Sequence, residues 1–395
     1  MKQIKFISAI LLATVFIVFN GCDEENDNEI GYLSISDHDR HLNFEKEGGV
    51  KEVIFEVNCE WAISIHEETD GKEPTWLNIS SSKGNAGNHK IQVKTTPNNT
   101  EMHREAYLNV QIKNEMYSGL ILIRQNAQPY SIHVEIAGSL GSLIGTKIHQ
   151  INNLIISGNL NGDDIKVIRN MELLRAINME DVNIKSGGKS YYTDAAHTDY
   201  FTKENVFPAY MFYFAGRSSA AIAMRMTSVI LPKSITTIGE ASFWDNEIEN
   251  IIIPNNVTSI ENSAFAINSF TDLIIPNSVT SIGRQAFYEC TKLTNVKLPN
   301  SIKTIQGETF YRCKSLTKIV IPNSVTFIGK YAFLCENLAE VQSNNPIPPR
   351  IQGGTVAFAN TRNCILYVPK GSYTEYLLEE EWKNFKEIIE KDIPE

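Results

Sequence analysis

The chain has 395 residues, a formal net charge of −10 and six cysteines. An acidic chain lacks the clustered Lys and Arg that nucleic acid demands, and so few, unevenly placed cysteines cannot form a disulfide scaffold. The length leaves room for two or three domains, each with its own core.

The chain opens with "MKQIKFISAILLATVFIVFNGC", where Lys2 and Lys5 precede an apolar run from Ile7 to Phe19. That run is short for a bilayer span and fits a secretory signal over residues 1–21. Gly21 before Cys22 resembles a bacterial lipobox. The resemblance implies cleavage before Cys22 and lipidation of that residue, and several acyl chains anchor stably where one does not. Losing residues 1–21 removes two lysines and no acid, which leaves a net charge of −12. Residues 22–31 contain "DEENDNE", an acidic tether without a core-forming pattern. Acids directly after the cysteine resemble the surface-export signal of Bacteroidetes lipoproteins, which implies an outer-membrane lipoprotein facing the cell exterior. No later stretch reaches about 18 consecutive apolar residues, so the remainder is expected in water.

Residues 32–128 alternate in strand fashion: "YLSIS", "VKEVIFEVN", "WAISI", "HKIQVKT", "EAYLNVQI" and "GLILIRQ", separated by turn residues. Short strands at this spacing predict an Ig-like β-sandwich. The order Gly48-Gly49, Trp61, Trp76-Leu77, Gly84, Asn98, Arg104, Arg124-Gln125 resembles the BACON domain. That resemblance implies either carbohydrate binding or a spacer role. Trp61 and Trp76 could offer sugar-stacking faces, but each lies in phase with the strand aliphatics and is expected in the core.

Residues 130–205 read as an N-terminal cap: an irregular strand, a turn, a short helix and another strand. In "NLNGDDIKVI" the acids lack the alternating spacing and closing glutamate of a calcium loop. Gly162 is expected to turn the chain and an aspartate to cap the helix "DIKVIRNMELL". "GGKSYYTDAAHTDYFTKEN" is polar and turn-rich and reads as an exposed insertion.

From residue 206 to 370 the chain repeats. Pro232, Pro254, Pro276, Pro299 and Pro322 step by 22, 22, 23 and 23 residues. An aliphatic follows each proline by three residues, an isoleucine by six and a phenylalanine by eleven, without variation. The unit "LTNVKLPNSIKTIQGETFYRC" resembles the BspA-type leucine-rich repeat. The period predicts a solenoid of 22–23-residue coils with one strand per coil in a parallel sheet, a fold in which each coil is buried by its neighbours. Leu293, Val296 and Leu298 should sit over Leu316, Ile319 and Ile321. Two polar columns follow from the period. Ser234, Asn256, Ser278, Ser301 and Ser324 should bond turn backbone; Cys290 and Cys313, aligned with Asn246 and Asn268, and Cys335, displaced by one residue, should be buried free thiols.

Residues 371–395 space Tyr376, Leu377, Trp382, Phe385, Ile388 and Ile389 for one helix face, which predicts a capping helix. The run Glu379 to Glu381 then forms a solvated face. Zinc-protease, nucleophile-elbow, paired C-x-x-C and Walker motifs are all missing, so the expectation is a non-enzymatic protein that takes no cofactor and no metal.

In an L-x-x-I-x-I strand the third and fifth residues point outward. The fifth positions Ile230, Ile252, Ile274, Lys297 and Val320, with Asn250, Asp272, Asn295 and Lys318 at third positions, form the candidate ligand-binding face. Three consecutive outward isoleucines exceed what solvent requires, although β-branched residues also stack well on any sheet. The BspA-type resemblance implies an adhesin, with a protein ligand on a host or bacterial surface. The alternative is glycan recognition by the BACON-like domain, possible in a polysaccharide-uptake system. Solvent exposure of Trp61 or Trp76 would favour it, and burial of both would count against it.

Overall fold

The structure, a computed structural model, describes residues 31–36, 39–67, 73–100, 103–112, 118–213, 225–352, 356–359 and 361–392. The leader, Cys22 and nearly all of the acidic tether lie outside the described residues. The chain divides into two compact units, Met1–Tyr130 and Ser131–Glu395.

The first unit is built from two sheets. One has four strands in the order Leu33–Ile35, Gly49–Val57, Gly87–Thr95, Leu77–Ile79, all antiparallel. The other has five, in the order His41–Phe44, Ser118–Gln125, Arg104–Ile112, Trp61–Glu67, Lys83–Gly84, and only its first pair is parallel. The alternation of residue types sets the layers: Val53, Phe55 and Val57 are buried while Ile54 and Glu56 between them face out. Both sheets turn such residues into one shared core. Trp61 is inside it, edge-on to Phe55 at 4.9 Å. Gly84 is required there, because a Cβ would lie 2.7 Å from the Trp61 indole nitrogen.

The second unit opens with a sheet ordered Tyr130–Val134, Asn153–Leu160, Ala176–Asn178, Ser228–Ile230, parallel from Asn153–Leu160 onward. The helix Gly162–Arg169 is capped by Asn161, not by an aspartate. Asp164 supplies the reciprocal arm of the capping box, accepting from the Asn161 amide at 2.9 Å. Its fully buried carboxylate also accepts from the Gly138 and Leu140 amides, at 2.5 and 2.9 Å. The helix stops at Arg169, five residues short of the expected end, because Met171 and Leu174 turn into the core. The polar insertion forms a hairpin, Gly187–Thr193 with Asp199–Thr202, and its Tyr191 is buried, with the hydroxyl donating to Ala209 O.

The repeats owe their fixed spacings to hydrogen bonds. The aliphatic three residues after proline closes a turn: Val257 N donates to Pro254 O, Val279 N to Pro276 O and Val325 N to Pro322 O, at 3.0–3.1 Å. The isoleucines stack as short parallel strands, Ile238 beside Ile260 beside Ile282, then Ile305 beside Ile328 beside Ile351. The phenylalanines form a buried column, from Phe243 through Phe265, Phe287, Phe310 and Phe333 to Phe358, with centroids 5.2–5.6 Å apart and planes within 9°.

Around Phe243, Phe265, Phe287 and Phe310, the residues two before and two after have φ between 48° and 60°. This left-handed backbone is unfavourable for non-glycine residues. It is held by amides that all donate toward the following coil, as in Ala241 N to Asn262 O, Phe243 N to Ala264 O and Asp245 N to Ala266 O. Such one-way bonding leaves carbonyls at the first coil. Arg169 closes them, donating to the carbonyls of Tyr210, Met211 and Tyr213.

Two further expectations are corrected. The strand ladder on the outward side is not continuous: no strand is assigned at residues 251–253, and Asn295–Lys297 is unpaired with Lys318–Ile321. The buried isoleucine and phenylalanine columns carry the register across both breaks. The C-terminal helix is also shorter than its sequence pattern predicts. It spans Tyr373–Leu378 and gives way to a strand, Glu387–Lys391, parallel to Ile365–Pro369. The tertiary contacts override the helical period: Trp382 and Phe385 cover Phe358, each at 5.4 Å, while Ile388 and Ile389 extend the ladder by one rung.

Candidate functional site

Each coil presents its third and fifth strand residues on one side, between inward aliphatics that fix their direction. Val229 and Leu231 are buried on either side of Ile230, Ile251 and Ile253 on either side of Ile252, and Leu273 and Ile275 on either side of Ile274. The three outward isoleucines are 46, 84 and 67% exposed. Asn250, Asp272, Asn295, Lys297 and Lys318 are exposed on the same side, and Val320 is half-buried. All nine residues chosen from the sequence therefore share one face.

The polar part of this face is organised. Asn295 donates to Asp272 at 2.7 Å and the Thr271 hydroxyl donates to its other oxygen at 2.8 Å. The bond from Asn295 first, and that from Thr271 second, hold the Asp272 carboxyl below its ordinary range. Lys318 pairs with Glu340 at 3.2 Å. Lys297 has no ion-pair partner among the described residues. The face thus divides into an apolar half around Ile252 and a charged half beyond Asn295.

Sequence reasoning began the row too late. Strand pairing sets Ile155 beside Asn178 and Asn178 beside Ile230, so the row extends two rungs toward the N-terminus. The signal was present: "INNLII" and "LRAINM" fit the L-x-x-I-x-I spacing with Ile155 and Asn178 at the fifth position. Those segments lack the marker proline and phenylalanine.

The cysteine column is structural. Cys290, Cys313 and Cys335 are buried free thiols, and each Sγ donates to the phenylalanine carbonyl of the preceding coil, Phe265, Phe287 and Phe310, at 3.3, 3.3 and 3.0 Å. Asn246 and Asn268 do the same to Phe212 and Phe243. Burial pushes the Cys290 thiol up to about 12, so it stays a neutral thiol and a poor nucleophile at neutral pH. Three members of the serine column reach back one coil rather than to their own turn, Ser234 to Val182 O, Asn256 to Lys233 O and Ser301 to Val279 O, whereas the buried hydroxyls of Ser278 and Ser324 have no hydrogen-bond partner among the described residues.

In the first unit Trp61 and Trp76 are 4 and 6% exposed. Trp76 donates to Glu67 at 2.7 Å and lies under the Arg104 guanidinium. Neither ring offers a face to a sugar.

Comparison with known proteins bears on both units. The model of the BspA-type leucine-rich-repeat region matches residues 219–273 and 259–371 in six copies, and that of the BACON binding domain matches residues 64–126. No curated protein matches the chain. Similar solved structures include a leucine-rich repeat protein from Bacteroides ovatus, 18% identical, covering 55% of this chain and 61% of its own, with a TM-score of 0.30. A leucine-rich cell surface protein from Faecalibacterium prausnitzii is 17% identical, with coverages of 62 and 65% and a TM-score of 0.25. A Bacteroides ovatus GH5 xyloglucanase is 16% identical, with coverages of 42 and 38% and a TM-score of 0.22. The chain spans less than two thirds of each, and nothing about its function rests on these likenesses. It carries a BACON domain followed by BspA-type leucine-rich repeats.

Proposed function

We propose that this is a non-enzymatic cell-surface protein: an Ig-like β-sandwich over residues 32–128, then a leucine-rich-repeat solenoid whose outward face binds a protein ligand in adhesion. Cys22 carries the lipid that anchors it in the outer membrane, facing the exterior. The observation that supports the binding role is the run Ile230, Ile252, Ile274, between 46 and 84% exposed on consecutive coils. Contiguous apolar surface on a water-facing side loses free energy until something covers it. The flanking Asp272–Asn295 pair and Lys297 give that cover an orientation, since charged rims select partners more than they add affinity. Glycan binding by the BACON domain has no comparable support, because both candidate tryptophans are core residues.

The test is an array of mucins, plant and host glycans and matrix proteins, probed with residues 30–130 and 131–395 separately. Capture of a protein by the second piece alone is the expected result. Glycan capture by the first piece would replace this reading with the carbohydrate-binding one.

A further inference from the structure

The outward row continues beyond the repeats. Strand pairing carries it past Val320 through Gln342 and Tyr367 to Ile389, so the strand Glu387–Lys391 is the last rung. It pairs with Ile365–Pro369 on one side, and among the described residues no strand pairs with its other side. The backbone on that side keeps donors and acceptors that one more strand would satisfy. Glu390 ties the rung down, accepting from the Gly371 and Tyr373 amides, both at 2.9 Å. Lys386, Glu387, Lys391 and Asp392 are exposed, and Ile388 and Ile389 are half-buried.

Charged side chains usually blunt an open edge. Those of this edge are complementary to themselves. In an antiparallel pair centred on Ile389, Glu387 stands opposite Lys391 and Lys386 opposite Asp392, each twice by symmetry, while Ile389 meets itself. Opposite charges facing across strands stabilise a pair and like charges destabilise it. The Lys391 ammonium already lies over Tyr367 at 5.5 Å, on the side of the sheet that Glu387 shares. Asp392 also meets Lys370 at 3.6 Å, but with side chains 87 and 76% exposed that contact is weak.

We propose that this rung pairs with the same rung of a second copy, antiparallel, across a two-fold axis through Ile389. The proposal does not rest on the isoleucine row as a docking face. Charge selects the register. A parallel pair sets Glu387 against Glu387 and Lys391 against Lys391. A slip of one residue sets Glu387 against Glu390 and Lys386 against Lys391, or, in the other direction, Glu387 against Asp392. A slip of two sets Glu390 against itself or Glu387 against Ile389. Edge pairing over one strand covers far less than the roughly 800 Å² per partner of a stable complex, so the contact is weak and depends on many copies on one surface.

The experiment uses oxidative cross-linking of the full chain, with the wild-type chain as the blank for its own cysteines. A residue on the axis faces itself, so Ile389→Cys should give a covalent dimer. Copies of residue 387 lie four residues apart along the pair, about 13 Å, beyond the reach of a disulfide. Glu387→Cys and Lys391→Cys should therefore each stay monomeric alone and cross-link when mixed. Adding Glu387→Lys to Ile389→Cys should abolish the cross-link, and adding Lys391→Glu as well should restore it. Melting curves show whether each variant folds; if Ile389→Cys is destabilised, the mixed pair at the exposed positions 387 and 391 decides. Absence of the mixed cross-link overturns the proposal. So does dimerisation of Glu387→Cys alone, or a charge reversal that Lys391→Glu does not rescue.

Discussion

Replacing Phe287 by alanine removes a fully buried ring held between Phe265 at 5.6 Å and Phe310 at 5.4 Å, both nearly coplanar with it. A buried Phe→Ala change costs about 3–5 kcal/mol. Two stacked neighbours, each contributing about 0.5–1.5 kcal/mol beyond area, place this site near the upper end. The more discriminating quantity is coupling. Phe265→Ala and Phe287→Ala each destroy their shared contact, so the double variant should cost about 1 kcal/mol less than the sum. Phe243 and Phe333 are separated by three rings of the column, and their double variant should be additive to within about 0.5 kcal/mol. Urea unfolding of the four single and two double variants measures both cycles. If the adjacent and distant pairs show equal coupling, the column is not a chain of nearest-neighbour contacts and the account of stability is wrong.

The Asn and Cys positions at one offset from phenylalanine should be partly interchangeable. Asn268→Ala leaves the Phe243 carbonyl, bonded at 2.7 Å, buried without a donor and should cost about 1–3 kcal/mol; Asn268→Cys should cost less in the same urea titration. The buried thiols predict alkaline sensitivity. Cys290 is raised from 9.0 to about 12 by burial, so its contribution is complete below 9.0 and is lost as pH rises toward 12, where only the unfolded chain has ionised readily. Unfolding midpoints followed across that window should fall more steeply for wild type than for Cys290→Ala. Parallel slopes would contradict the assignment. Thiol labelling at neutral pH should likewise be slow until the chain unfolds.

Much of this fold was legible in the residues because the repeat spacings are hydrogen bonds and ring contacts. Proline to aliphatic is a turn, and phenylalanine to phenylalanine is a stacked pair. The tryptophans read correctly because alternation alone put them in the core. The C-terminal segment misled for a physical reason: its apolar spacing suits a helix, but Trp382 and Phe385 are needed to cover Phe358 and Ile388–Ile389 to close the sheet edge. The interruption at 251–253 has no mark in the sequence, since Ile251 to Ile253 read as a better strand than their neighbours. The candidate row was visible as far as the period was visible. Asn178 and Ile155 escaped because their coils lack the proline and phenylalanine that reveal the others. Arg169 closing the first-coil carbonyls has no sequence signature at all.

The most direct test of the binding face changes its two most exposed isoleucines at once. Ile252 and Ile274 are 84 and 67% exposed, so Ile252→Asp with Ile274→Asp should leave the melting temperature and circular dichroism unchanged. The measurement is capture of the protein ligand by this double variant beside wild type. Loss of capture with an intact fold is the predicted result; capture at the wild-type level would show that the isoleucine row is only the well-stacked outside of a sheet.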